Sequence, residues 1–337
     1  MMAILADVAT FALKLIILVA VIGIPLALIL RVARQPQADG SAPIQVQPLN
    51  RHLRERAEQI KVEIAPASHR KALQQSLRRQ HKDEAKAPGG QPARPRLFVL
   101  DFEGDLRASA VTSLREEITA LLQVAGSGDE IVVRLESPGG MVHSYGLAAS
   151  QLARIRKRGI RLTVVVDKVA ASGGYMMACV ADRIIAAPFA IIGSIGVVLQ
   201  MPNFHRFLKR KDIDFELLTA GEHKRTLTLF GENSEPARAK AMEELEDTHT
   251  LFKEFISQHR PQLDVDRVAN GEHWFGARAL DLGLVDELST SDDYLLQRME
   301  THEVFNLYQH RPKPLMQRIA DRMSAALQYA AVFRKRA

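Results

Sequence analysis

The stretch Val169-Ala170-Ala171-Ser172-Gly173-Gly174-Tyr175-Met176-Met177-Ala178 decides how this chain is read. A strand-like run, Arg161-Leu162-Thr163-Val164-Val165-Val166, leads into it, and a run of small residues follows. A serine set between a strand and a helix, with small neighbours on both sides, is the local pattern of an exposed nucleophile. The glycines after it let a peptide backbone come close, and Gly173 can offer its N–H to a developing oxyanion. The competing reading is a buried Ala-Ser-Gly turn that only packs.

Outward from this stretch, strands alternate with helices. Strands are expected at 97–100, 130–135, 161–166, 183–187 and 215–218. Helices are expected between them at 111–124, 141–157, 172–181 and 202–211, with a long charged helix at 235–258. Regular alternation with short loops predicts an α/β domain with a largely parallel sheet, closing near Leu288. The expected domain runs from 96 to 290.

Two further stretches bear on chemistry. Leu135-Glu136-Ser137-Pro138-Gly139-Gly140-Met141 ends a strand and opens a helix. Its glycines leave N–H groups free where negative charge is favoured, which suits an oxyanion hole. Alone it is a turn, but adjacent parallel strands end on the same sheet edge, which puts it beside the serine stretch. Thr219-Ala220-Gly221-Glu222-His223-Lys224-Arg225-Thr226 follows the last expected strand. An isolated lysine is ordinarily a solvated surface group. A serine nucleophile needs a base, however, and a desolvated lysine serves when its pKa falls from ~10.4 towards neutrality. Arg225 and His223 add like-charge pressure in that direction. A Ser-His-Asp arrangement using His143 or His223, with Asp167 or Asp182 as orienter, stays open on spacing alone.

Composition narrows the classes. Of 337 residues, 47% are hydrophobic and 25% charged, so a sizeable core is affordable and two domains fit the length. The formal charge of +6 is mild and dispersed, and aromatics are only 6%, so no nucleic-acid partner is expected. The single cysteine, Cys179, excludes an internal disulfide and a cysteine-based metal cluster, and its apolar surroundings make it a core residue. No phosphate loop, dinucleotide Gly-x-Gly-x-x-Gly or His-Glu-x-x-His is present, so neither a cofactor nor a metal is expected.

Residues 11–31 form a nearly unbroken apolar run of about the 20 residues a membrane helix needs. The run ends Leu28-Ile29-Leu30-Arg31, without a small-x-small cleavage site, so an uncleaved single-pass anchor is expected after a short tail at 1–10. Arg31, Arg34 and a basic stretch follow it, which by the positive-inside rule points to a cytoplasmic C-terminal part. Residues 32–95 read as linker with exposed charged helices at 50–63 and 68–86, and 87–95 is a Pro- and Gly-rich boundary. Residues 291–337 read as a tail with a basic amphipathic helix at 314–336.

With these pieces assembled, the chain resembles the signal peptide peptidase A family of serine proteases, and among them its short membrane-anchored members. The resemblance rests on Arg134-Leu135-Glu136-Ser137-Pro138-Gly139-Gly140, Asp167-Lys168-Val169-Ala170-Ala171-Ser172-Gly173-Gly174-Tyr175, and Ile192-Gly193-Ser194-Ile195-Gly196-Val197. It continues through Ala220-Gly221-Glu222-His223-Lys224-Arg225-Thr226, Gly271-Glu272-His273-Trp274-Phe275-Gly276 and Gly283-Leu284-Val285-Asp286. It implies a ClpP/crotonase-like fold of repeated ββα units and an ATP-independent endopeptidase with a Ser-Lys dyad. By motif position Ser172 is the nucleophile and Lys224 the general base, with Gly173 and Gly139 or Gly140 supplying oxyanion N–H groups. The related ClpP proteases place a histidine after a strand in the region here reading Ile191-Ile192-Gly193-Ser194-Ile195-Gly196, which has none.

The resemblance further implies a homo-oligomeric ring in which serine and lysine come from neighbouring subunits. It implies apolar peptide substrates such as signal peptide remnants or unfolded segments. The expected location is the bacterial inner membrane, with lipid contact through the N-terminal helix. Family members place the catalytic domain in the periplasm, against the positive-inside pattern, and the periplasmic side is the expectation taken forward. Two other classes compete: a catalytically silent membrane-anchored scaffold that binds peptides, and a crotonase-type acyl-CoA enzyme that would not need Ser172.

Overall fold

The computed structural model describes residues 43–86, 94–221 and 224–309. The expected membrane helix at 11–31, the expected basic helix at 314–336, the Pro- and Gly-rich 87–93 and His223 lie outside the described residues. No helix among the described residues is long and apolar enough to cross a membrane. Ile44–Gln309 form one compact unit.

The chain runs β1 (Ile44–Pro48), α1 (Leu49–Ile64), α2 (Ala67–Lys86), β2 (Arg96–Glu103), α3 (Val111–Val124), β3 (Glu130–Glu136), α4 (Val142–Lys157) and β4 (Arg161–Val166). It continues with β5 (Val169–Ala171), α5 (Gly173–Ala178), β6 (Arg183–Ala186), β7 (Ile191–Gly193), α6 (His205–Lys209), α7 (Glu235–His259) and α8 (Val265–Val268). It closes with β8 (His273–Phe275), α9 (Gly276–Asp281), β9 (Glu287–Leu288), α10 (Ser291–Arg298) and β10 (Glu303–Gln309).

Seven strands form one sheet in the order β1-β10-β2-β3-β4-β6-β9, parallel except for β1 at the edge. The central strands are mostly apolar, as strands covered on both faces must be, with an Asp101–Arg134 pair towards the ends of β2 and β3. Phe98, Leu100, Phe102, Ile131, Val133, Leu135, Leu162 and Val164 join the larger core on one face. Leu97, Val99, Val132 and Val165 pack on the other face with Tyr294 and Leu295 of α10. Leu114, Ile118 and Leu121 of α3 recur at helical spacing and are buried against the larger core. Each such side chain contributes about 1.5–3 kcal/mol when taken out of water.

Gly159 (φ +69) ends α4 in a left-handed turn. The N–H of Gly159 donates to Arg156 O and that of Ile160 to Ile155 O, which satisfies the last helical carbonyls and turns the chain into β4.

Three short strands form a second sheet, β5-β7-β8, with β5 and β7 parallel and β8 antiparallel. The chain alternates between the sheets: β4 leads into β5 and then α5, and β6 leads into β7. After β3, Ser137 forms a single bridge to Ala170 of β5 before α4 begins. This alternation carries the ends of β3, β4 and β6 to one place.

The mixed α/β architecture agrees with the sequence, but several bounds differ. The unit is wider than 96–290, because β1 from the expected linker pairs with β10 from the expected tail, Ile44 opposite Gln309. Asn50 fastens this edge: its amide donates to Met299 O and His302 O, and its oxygen accepts from Val304 N–H. The helix expected at 202–211 shortens to His205–Lys209, and the strand expected at 215–218 does not form. Phe215, Leu217 and Leu218 are exposed there, and among the described residues no strand lies alongside to bond them.

Candidate active site

Ser172 sits at the turn from β5 into α5 with φ +52 and ψ −118. A side chain in that region costs on the order of 1–2 kcal/mol, so the surroundings have to hold it there. They do so by backbone bonds. The N–H of Ser172 donates to Gly193 O at 2.8 Å, and its carbonyl accepts from Met176 N–H at 3.0 Å to start α5. Every residue of α5 is buried. The Ser172 hydroxyl has no hydrogen-bond partner among the described residues, and neither has the N–H of Gly173.

The Pro138-Gly139-Gly140 turn lies against this elbow. Gly139 has φ +91, and a Cβ there would lie 2.7 Å from Ser172 Cβ and 2.8 Å from Gly173 N. Gly140 passes so close to the Leu106 carbonyl that a Cβ would collide with it. The turn is bound to β5 through Ser137, whose N–H donates to Val169 O at 2.8 Å and whose carbonyl accepts from Ala171 N–H at 3.0 Å. The two glycines differ. The N–H of Gly139 donates to Ser137 Oγ at 3.1 Å, whereas that of Gly140 has no acceptor among the described residues.

Two residues that sequence reasoning did not single out stand behind this turn. Ser137 and Tyr145 are fully buried, and their hydroxyl oxygens are 2.6 Å apart. Tyr145 donates to Asp105 O at 2.9 Å, and its ring packs where a Cβ on Gly173 would go. Burial raises the Tyr145 phenol above its ordinary range, so it stays protonated. No short motif joins a serine and a tyrosine eight residues apart. The signal available was Tyr145 as a polar-tipped aromatic on the buried face of α4.

Lys224 is exposed, and its backbone N–H donates to Gly221 O at 3.2 Å. Among the described residues no hydrogen bond or ion pair joins its side chain to Ser172. The segment that carries it closes on itself. Phe204 N–H donates to Leu229 O at 2.7 Å, the Asn203 amide bonds Thr228 O and Gly231 O, and Phe204 and Phe215 both meet the Phe230 ring.

Of the groups of the histidine alternative, His223 lies outside the described residues, and among the described residues no hydrogen bond joins His143, Asp167 or Asp182 to Ser172. Asp167 accepts from the N–H and hydroxyl of Ser291 at the start of α10. Asp182 accepts from Leu162 N–H and pairs with Arg156 at 2.8 Å. His143 is exposed at the first turn of α4. Cys179 is buried with its thiol pushed up by burial, in keeping with a core residue. Among the described residues no cluster of His, Cys, Asp or Glu could hold a metal ion.

Residues 154–305 match peptidase family S49, and residues 3–152 match the peptidase family S49 N-terminal region. A probable protease SohB of Haemophilus influenzae is 60% identical over 222 residues, 66% of this chain and 63% of that protein. The chain therefore accounts for less than two thirds of that relative's length. A probable protease SohB of Buchnera aphidicola subsp. Schlechtendalia chinensis is 59% identical over 204 residues, 60% of this chain and 67% of that protein. Among solved structures, a membrane-bound stomatin-specific protease in complex with a substrate peptide aligns with a TM-score of 0.46 at 16% identity, covering 68% of this chain and 100% of that one.

Proposed function

The chain belongs to peptidase family S49, and on that premise we propose that it is a membrane-anchored, ATP-independent serine endopeptidase acting through Ser172 and Lys224. The observation that carries this reading is the Ser172 elbow: a serine held at φ +52, its hydroxyl unpartnered, beside the free N–H of Gly173 and a glycine turn. The alternation of strands between two sheets is the pattern expected of a ClpP/crotonase-like fold.

The chemistry follows from the arrangement. Lys224, in its uncharged form, takes the proton of Ser172 as Oγ attacks a peptide carbonyl. The oxyanion accepts from Gly173 N–H and from an N–H of the Gly139-Gly140 turn. Lys224 then protonates the leaving amine, and water attacks the acyl-enzyme ester to release the second product and regenerate Ser172. In a single chain Lys224 is exposed and, among the described residues, not bonded to Ser172, which favours assembly of the dyad between subunits of a ring. The substrates proposed are apolar peptides, such as signal peptide remnants or unfolded segments. The anchor at 11–31 would hold the enzyme in the bacterial inner membrane with its catalytic unit in the periplasm.

The test is peptide hydrolysis by the detergent-solubilised full chain beside Ser172→Ala and Lys224→Ala. Both variants should lose at least about 10³-fold in kcat/KM while still assembling. Mixing the two inactive variants should restore part of the activity in mixed rings. Full activity in Lys224→Ala would remove lysine as the base, and an inert parent would favour the silent scaffold.

A further inference from the structure

The hydroxyls of Ser137 and Tyr145 form a directed chain. A phenol has one proton, and Tyr145 gives its proton to the Asp105 carbonyl at 2.9 Å. The Ser137 proton therefore goes to the Tyr145 oxygen at 2.6 Å, and Ser137 Oγ accepts from Gly139 N–H at 3.1 Å. The order is Gly139 N–H to Ser137 to Tyr145 to the Asp105 carbonyl, with no donor left over. Both side chains are fully buried, and the Gly139–Ser137 and Ser137–Tyr145 links are made away from water, where they are strong and costly to lose.

The same tyrosine also packs against the other side of the Ser172 elbow. Its ring fills the space against Gly173, and the carbonyl of Ser137 lies 2.5 Å from where a Cβ on Gly174 would sit. Beyond the turn, Met141 N–H donates to Leu106 O at 2.8 Å, next to Asp105. Thus the ring of Tyr145 supports the Gly173 side, and its hydroxyl, through Ser137, holds the Gly139 side.

We propose that Ser137 and Tyr145 are positioning residues that set the separation and aim of the two N–H donors around the oxyanion. Neither touches the substrate. This rests on the peptidase reading above. Donors act on the transition state only when they sit about 2.7–3.1 Å from the oxyanion, so a small shift of the turn lowers kcat more than it weakens substrate binding.

The experiment compares parent, Tyr145→Phe, Ser137→Ala, the double variant and Ser172→Ala as full-length chains. The readouts are kcat, KM and the inhibition constant of a peptide boronate, which forms a tetrahedral adduct on the serine. Each single variant should lower kcat roughly tenfold to a hundredfold, leave KM within about twofold, and weaken the boronate in step with kcat/KM. The double variant should be no worse than the poorer single variant, because both break one chain. A purely structural role would lower the active fraction and leave the boronate constant unchanged, which overturns the proposal. Ser137→Ala carries the test by itself if Tyr145→Phe does not fold. If the parent is inert or Ser172→Ala still cleaves, the peptidase reading and this inference fall together. If Ser172→Ala is silent while Tyr145→Phe and Ser137→Ala match the parent, only this inference falls.

Discussion

Around Ser172 the backbone is tied to β7 and to the Ser137 turn by hydrogen bonds and backed by a buried helix, while around Lys224 the chain turns apolar side chains to solvent. Ser137 alone bonds two residues of β5, Gly139 and Tyr145. Between Val198 and Phe230, by contrast, Val198 is 85% exposed and Leu218 is 93% exposed. The half of the proposed site that carries Ser172 is built within one chain. The half that carries Lys224 is locally closed, with its apolar side chains facing solvent.

One methyl group added to each region should separate them most. Gly139→Ala forces a Cβ to within 2.8 Å of Ser172 Cβ and Gly173 N at φ +91, and kcat/KM should fall at least about 10³-fold. Gly221→Ala has a similar φ of +97, but its Cβ meets nothing nearer than Lys224 Cβ at 3.9 Å. Its cost should be the local backbone strain alone, about 1–2 kcal/mol. Equal losses in a peptide assay would show the two regions to be alike.

Next in size is the ion pair under α7. Arg260 is 3% exposed and bonds both oxygens of Asp286, at 2.7 and 2.8 Å, and Asp286 also accepts from Ile184 N–H of β6. Asp286→Asn leaves a buried guanidinium without its counter-charge, and should cost about 3–5 kcal/mol in chemical denaturation. Phe215→Ala, in the exposed segment, should cost about 1 kcal/mol or less in the unassembled chain.

A smaller effect separates the regions by pH. Burial alone would raise the Asp129 carboxyl, but bonds from the Arg96 side chain and the N–H groups of Gly126 and Arg96 hold it below the ordinary aspartate range. A depressed carboxyl contributes stability that is present above its unfolded pKa and is lost as pH falls through the folded one. Melting temperature should therefore drop on acidification below the ordinary aspartate range. Asp129→Asn should flatten that drop, and a parallel curve would count against the assignment. The smallest effect is Leu218→Ser, which should change the stability of the unassembled chain by less than about 0.5 kcal/mol yet reduce assembly in size-exclusion chromatography. Destabilisation of the single chain would show the segment to be part of the core.

The same contrast explains what was legible in the sequence. β2, β3 and β4 are buried on both faces and announce themselves as apolar runs, and the serine elbow lies at the end of one such run. β1 carries an irregular burial pattern, and its partner β10 lies more than 250 residues away, so nothing local marks either strand. Phe215-Glu216-Leu217-Leu218 has strand-like composition, but a strand needs a bonded neighbour, and none stands beside it. At the site, Ser172 and the two glycines are carried by a short motif. The Ser137–Tyr145 chain is not, because it depends on α4 bringing a tyrosine back under the turn.

The pairing of Ile44 with Gln309 places the two ends of the compact unit opposite one another, about 5 Å apart at the Cα atoms. Entry and exit through one residue pair make the unit modular. Ends this close are the geometry that insertion into a host loop requires, since neither flanking connection has to pull a strand out of register.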